Sequence, residues 1–352
     1  MVPTALSYTE VVTTVAPATP EELASALGAA NRDGQRVHFS LERMNRVLKY
    51  TPDDLTISVE AGITLGAINR LLGEHQQWLP IGAPRPDRLT AGQALAANPS
   101  GPFRLFYGTL RDMVVGVRFA TAEGALVKSG GEVVKNVAGY DLAKLLIGSR
   151  DTLAIPVQIN FRVHSRPAFT ETSVLTFSSA AAALEARTAI QQSPLRPLAM
   201  DFISAGVADA KTWTLLVAYG GVERVIERYR RELRSEVTLR GADEQRLWDS
   251  VCDFPAIMED RGAVRVRVAS TITRIGSCID ALPADAAVSR AGTGVTYFYG
   301  VSFDQAKSAL EGKAESVALE FPAAPEAPAH YGALAARLKQ AFDPNGILAG
   351  GL

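Results

Sequence analysis

The run Gly130-Gly131-Glu132-Val133-Val134-Lys135-Asn136-Val137-Ala138-Gly139-Tyr140-Asp141-Leu142-Ala143-Lys144-Leu145-Leu146-Ile147-Gly148-Ser149 sets four glycines around one short helix-forming stretch. Such a composition suits a backbone that must press close against a large, flat, phosphorylated ligand. Leu142, Leu145 and Leu146 fall at helical spacing. One face of that helix is therefore core, while its first turn, preceded by Asn136 and Gly139, can present free N–H groups. A plainer reading stands beside this one. Gly-Gly near a strand end also makes a hairpin turn, and a short apolar helix after it also packs a core.

Other chemistry is sparse. The two cysteines, Cys252 and Cys278, stand in no paired ligand spacing, and the histidines at 38, 75, 164 and 330 are scattered singly. Buried thiols and structural or surface histidines are the expectation, and no metal site is predicted. The helix carrying Arg224, Arg228, Arg230, Arg231 and Arg234 invites a phosphate-binding reading. Its interleaved Glu223, Glu227 and Glu232 favour a solvated face of opposite-charge pairs.

The elements that must position these residues fall into two patterns. Thr19-Pro20-Glu21-Glu22 is a helix start, with strands predicted at Val11–Val15 and Val37–Phe39 on either side, so residues 10–40 read as a βαβ unit. Further strands are predicted at Leu55–Val59, Arg118–Thr121, Ala125–Ser129 and Leu153–Val163, with a helix at Ile63–Leu72. Beyond Arg166-Pro167 strands and helices alternate as in an α+β sandwich, including strands at Leu198–Ile203, Ala287–Ser289 and Val295–Val301. The proline-rich stretch Phe321–Ala329 reads as a linker before a helix at Tyr331–Phe342. At 352 residues, 47% apolar, 21% charged and net charge −1, two domains are expected, with no nucleic-acid footprint. No apolar run approaches the ~18 residues of a membrane span, and a cytoplasmic protein is predicted.

The string Lys135 to Leu142, followed by Lys144-Leu145 and Gly148-Ser149, resembles the FAD-linked oxidases of the vanillyl-alcohol-oxidase/PCMH fold, in particular the FAD-binding subunits of bacterial glycolate oxidases. The likeness extends through Arg43–Leu48, Pro52–Thr56, Val59–Gly62, Leu79-Pro80, Ala96–Pro102 and Gly108–Asp112. It covers roughly residues 10 to 165. The resemblance implies an α+β fold: a PCMH-type FAD-binding domain of two α+β subdomains at 1–166, a smaller α+β cap at 167–325, and a segment at 326–352 returning to the first domain. It implies FAD held noncovalently, with Pro80, Thr90, Gly92, Gln93, Asn98, Ser100 and Gly101 around the pyrophosphate and flavin edge. Asn98 and Ser100 can hydrogen-bond ring heteroatoms or the ribityl chain, although Asn-Pro-Ser-Gly is also a good turn. Gly108, Arg111 and Asp112 match the same pattern, the Arg–Asp pair being either a cofactor contact or a buried clamp. Lys135, Asn136, Gly139 and Tyr140 would face the flavin ring, and Ser149, Thr152, Leu153 and Ile155 the adenine-side phosphate.

The family's glycine-rich pyrophosphate loop has no counterpart here. No glycine occurs from Gln35 through Ala61, and roughly fifteen to twenty residues are missing, judged against a strand plus a phosphate loop. Gln93, Asp151 and Ala154 also stand at glycine positions of the family pattern, so a weak FAD site is expected. The function implied is oxidation of glycolate or a related 2-hydroxy acid to the 2-oxo acid, together with a larger FAD-binding subunit and an iron–sulfur subunit. Contact with the inner membrane would come through those partners. A scaffold subunit that keeps the fold and has lost or weakened its flavin is the alternative. No catalytic base is recognisable between residues 167 and 320.

Overall fold

Thr19 caps the helix Pro20–Asp33 by accepting the Glu22 N–H at 3.1 Å, and Gly34 closes it in a left-handed conformation. In the computed structural model, which describes residues 13–131, 141–321, 332–348 and 350, this helix joins two short strands, Thr13–Val15 and Val37–Phe39. They pair in parallel, as the βαβ reading requires. Leu23, Leu27 and Met44 are fully buried in the small core of this unit. The C-terminal helix Gly332–Phe342 leads Leu348 alongside Val37 in a parallel bridge. Lys339 fastens that return, its Nζ donating to Thr152 O and Leu348 O at 3.0 Å each.

A five-stranded antiparallel sheet follows, in the spatial order Val47–Thr51, Thr56–Glu60, Ile155–Arg162, Val114–Ala120 and Leu126–Gly130. Helices Leu65–Gly73 and Ala91–Ala97 bury Ile68, Leu72, Ala94 and Leu95 in the same core as Val59, Val117 and Phe161 of the sheet. Gly130 has φ +80, and an added Cβ would stand 2.4 Å from Val115 O. The start of the glycine run therefore serves close approach of chain to chain.

Residues 169–321 supply every strand of an eight-stranded sheet whose neighbours are all antiparallel. Helices Ala180–Gln192, Glu223–Leu233, Ile275–Ala281 and Phe303–Ala309 contribute to the core on one of its faces. The other face carries Leu216, Ala218, Val288, Tyr297 and Tyr299 into the same buried cluster as Leu79, Ile81, Tyr107 and Phe161. One apolar core thus runs from the five-stranded sheet into the eight-stranded one.

Two differences from the sequence-based expectations stand out. A helix at Gly241–Asp260, the longest described, falls in a stretch given no element. In the arginine-rich helix, Arg228 pairs with Glu232 at 2.6 Å as a solvated face would, but Arg230 reaches the buried Glu171 on the neighbouring strand. The linker expected after Phe321 lies outside the described residues, as do Lys135, Asn136, Gly139 and Tyr140.

Candidate cofactor site

The short route from Phe39 to Met44 lies flat against Gly62. Ser40 N donates to Val15 O at 3.0 Å, Met44 N to Leu41 O at 2.8 Å, and Gly62 N to Met44 O at 2.8 Å. A Cβ on Gly62 would fall 1.9 Å from Leu41 O. Where the family pattern has a glycine-rich loop, this chain has a tight turn packed on its own backbone.

Helix Ala91–Ala97 begins at the Thr90-Ala91-Gly92-Gln93 string, and its N-terminal donors are all used within the chain. Ala91 N donates to Ile63 O at 2.8 Å, Gly92 N to Ala61 O at 2.7 Å, Gln93 N to Thr90 Oγ1 at 3.2 Å and Ala94 N to Thr90 O at 2.8 Å. The Gln93 side chain folds back to accept the Thr90 N–H at 3.0 Å, completing a capping box. An anion site at a helix N-terminus needs free N–H groups. None of these four is free.

At the other end of that helix Asn98 takes a left-handed conformation and is exposed. Ser100 is engaged on several sides: its Oγ accepts from Arg104 Nη1 at 2.7 Å and its carbonyl accepts from Arg290 Nε at 3.2 Å. Gly101 is buried, and a Cβ there would meet Ile81 O at 2.0 Å and Gly82 O at 2.6 Å. Pro80, also buried, lies beside this crossing.

Gly108, Arg111 and Asp112 form a separate group. Asp112 is exposed and accepts from Thr109 N at 2.7 Å and Thr109 Oγ1 at 2.8 Å, bonds that hold its carboxyl below the usual carboxylate range. Gly108, at φ +85, leaves room for that carboxylate, since a Cβ would lie 2.8 Å from Asp112 Oδ2. Arg111 does not bond Asp112 but donates to Lys144 O at 3.1 Å, and Lys144 Nζ returns bonds to Arg111 O and to Val114 O. Of the two readings of the Arg–Asp pair, the buried clamp is replaced by an exposed capping turn and an Arg111–Lys144 stitch that fixes the helix Ala143–Leu146. Burial lowers the Lys144 pKa, and carbonyl oxygens accept its hydrogen bonds.

The turn from Gly148 to Thr152 is tied to the end of helix Ala91–Ala97: Gly148 N donates to Leu95 O at 2.9 Å and Arg150 N to Ala96 O at 3.0 Å. Ser149 Oγ is sealed from solvent with no partner among the described residues, and so is Asp151 Oδ1. Burial pushes the Asp151 carboxyl up to about 7. Thr152 Oγ1 donates to Ser149 O at 2.6 Å, while Leu153 and Ile155 are core. Asn98, Gly148 and Ser149 are thus brought together, a Cβ added at Gly148 (φ +80) lying 3.5 Å from Asn98 Cβ.

Against this geometry, residues 35–130 match the family described as FAD binding domain. The chain is 38% identical over 122 residues to glycolate oxidase subunit GlcE of Escherichia coli (strain K12), covering 34% of this chain and 35% of that protein. It is 34% identical over 140 residues to D-2-hydroxyglutarate dehydrogenase of Xanthomonas citri pv. viticola, covering 40% and 29%. With glycolate oxidase subunit GlcD of Bacillus subtilis (strain 168) it shares 28% over 165 residues, covering 46% and 34%. The matched part amounts to about a third of the length of these curated relatives. A solved alkyldihydroxyacetonephosphate synthase superposes with a TM-score of 0.71 at 17% identity, over 96% of this chain and 77% of that one, which shows the fold.

FAD is the cofactor of this domain. Among the described residues the ones that suit it are Asn98, an exposed amide, and Ser149, whose buried hydroxyl lacks a partner, beside Gly148. Of the described histidines, His38 and His75 are exposed and His164 packs on Tyr107 at 4.9 Å. Toward the pyrophosphate, the capped helix and the turn sealed on Gly62 offer little. Sequence reasoning missed Arg290, Asp201 and Tyr297 of the eight-stranded sheet, which bear on Ser100. A signal existed, since Asp201 is the lone charge inside the apolar strand Ala199–Ile203.

Proposed function

We propose that this chain is the FAD-binding subunit of a glycolate oxidase or dehydrogenase complex that oxidises glycolate or a related 2-hydroxy acid to the 2-oxo acid. The observation that carries this reading is the 38% identity to GlcE over 122 residues in a chain with an FAD-binding domain. FAD, when bound, supplies the two-electron chemistry. The chain's own part is to hold the group at Asn98, Gly148 and Ser149 and to cover it with the domain of residues 167–325, residues 326–352 returning to the first domain. Electrons must leave through partners, a larger FAD-binding subunit and an iron–sulfur subunit, because an iron–sulfur cluster takes about four cysteines. Cys252 and Cys278 are both free and buried, and burial pushes the Cys252 thiol up to about 12. Among the described residues no helix is long and apolar enough to cross a membrane. We place the complex in the cytoplasm, reaching the inner membrane through its partners.

The test is to purify the chain alone and assembled with its partners and record the flavin absorbance between roughly 350 and 500 nm, then add glycolate. Flavin in the assembled complex, bleached by glycolate, supports the reading. The paired N–H groups at the start of helix Ala91–Ala97 favour a second reading, a scaffold subunit with weakened flavin. That reading is established if a variant lacking FAD still assembles and leaves turnover of the complex unchanged.

A further inference from the structure

Ser100 sits at the point where the eight-stranded sheet grips the FAD-binding domain. Its carbonyl accepts from Arg290 Nε at 3.2 Å, and its hydroxyl accepts from Arg104 Nη1 at 2.7 Å. Arg290 is in turn bonded through Nη1 to Asp201 Oδ2, the two side chains being 5% and 1% exposed. Its guanidinium lies 5.9 Å from the centre of the Tyr297 ring. Arg290, at the end of strand Ala286–Arg290, thus links Asp201 of strand Ala199–Ile203 and the Tyr297 ring of strand Val295–Tyr299 to Ser100 of the opposite domain. A second tie closes the neighbouring segment: Arg85 N donates to Asp253 Oδ1 at 2.6 Å, and the Arg85 side chain pairs with Asp260. Around both ties the apolar core is continuous.

A buried ion pair costs desolvation of both charges, and its common use is to fix one arrangement rather than to add stability. Here it fixes the closed arrangement of two domains, and the segment Asn98 to Gly101 that it holds, like Pro80 beside it, is one that the sequence assigns to the flavin. We infer that the Arg290–Asp201 pair, with Tyr297, is a latch that holds the eight-stranded sheet on Ser100, and that FAD enters only when this latch opens. The inference rests on the proposal that the chain binds FAD. Uptake is then limited by the small open population, and loosening the latch speeds it without adding any contact to the cofactor.

The experiment compares the full chain with Asp201→Leu/Arg290→Met, which replaces the pair by apolar groups, and with Arg290→Lys, which keeps the charge beside Asp201 and removes the Nε donor to Ser100. Two readouts are taken: backbone hydrogen exchange, and the rate of FAD association followed by flavin fluorescence. The latch requires faster exchange in residues 98–107 in both variants, with the strand Ile155–Arg162 protected as before. It also requires FAD association about tenfold or more faster in the double variant, the scale expected when the open state is about a tenth of the population or less. Unchanged exchange in residues 98–107 overturns the latch. Faster exchange with unchanged FAD association overturns the gate. If exchange rises but no form of the chain takes up FAD, alone or assembled, the FAD reading fails and the gate with it, leaving the contact a plain interdomain lock.

Discussion

Asp151 combines two costs in one residue. It follows Arg150 in a second consecutive left-handed conformation, φ +52 then +57, and its Oδ1 is sealed without a partner. Burial raises its pKa to about 7 from an ordinary value of 3.8, with no charged group among the causes. The folded chain therefore holds a proton that the unfolded chain releases between those two values, so stability falls as pH rises through that window and the full penalty is present above about pH 7. Asp151→Asn keeps a side chain that tolerates left-handed backbone and removes the charge. It should leave stability nearly unchanged at pH 4 and raise it at pH 8 by on the order of 1–2 kcal/mol, less than the whole shift implies because the residue is only partly withdrawn from water. Urea melts of the two proteins at both pH values check this, and an equal effect at both would mean that the carboxyl stays ionised. Ala154, the other residue at a family glycine, is different: it does not have a positive φ, and it is core. Both departures are legible in the sequence, but only the backbone tells which of them costs anything.

At the scale of elements, legibility follows local chemistry. The helix Pro20–Asp33 is announced by Thr19, Pro20 and two glutamates, and it starts there. Helix Gly241–Asp260 is not announced, because Arg240 supplies no side-chain cap and Pro255 lies inside it; its place is set by tertiary bonds such as Trp248 Nε1 to Thr172 Oγ1 at 2.8 Å. The candidate site divides in the same way. The Thr-Ala-Gly-Gln string could be seen in the sequence, whereas the use of all its donors within the chain could not, since Ala61 and Ile63 come from another segment. Gln93→Gly restores the family glycine but removes the capping-box side chain and puts a glycine in the first turn. It should cost roughly 1–2 kcal/mol in thermal or urea unfolding. Gly62→Ala should cost more and leave little folded protein, because its Cβ would overlap Leu41 O, a backbone atom that cannot swing aside. A soluble Gly62→Ala variant with unchanged melting would show that the Phe39–Met44 turn can move off Gly62 and leave room for a ligand.

Across the whole molecule, the donors that the chain spends on itself bear directly on how tightly it can hold FAD alone. Loss of two charge-assisted N–H contacts to a pyrophosphate removes about 3–6 kcal/mol, enough to move a nanomolar affinity to micromolar or weaker. Adding a glycine-rich loop after Phe39 would not by itself repair this, because the Ser40–Met44 turn occupies the surface of Gly62 and the helix at Thr90 remains capped. A partner that binds the closed, FAD-loaded form can supply the difference, since a second component that favours that form raises apparent affinity by mass action. The isolated chain should therefore bind FAD in the micromolar range or more weakly, and, if the proposed complex is right, addition of its larger FAD-binding subunit should tighten it by at least about tenfold, or about 1.4 kcal/mol. Calorimetric titration of the apo-chain with FAD, with and without that subunit, measures both quantities. Nanomolar binding by the chain alone would show that the pyrophosphate is held by residues other than the helix at Thr90 and the turn on Gly62. Equal affinity with and without the subunit would remove the partner from the cofactor site.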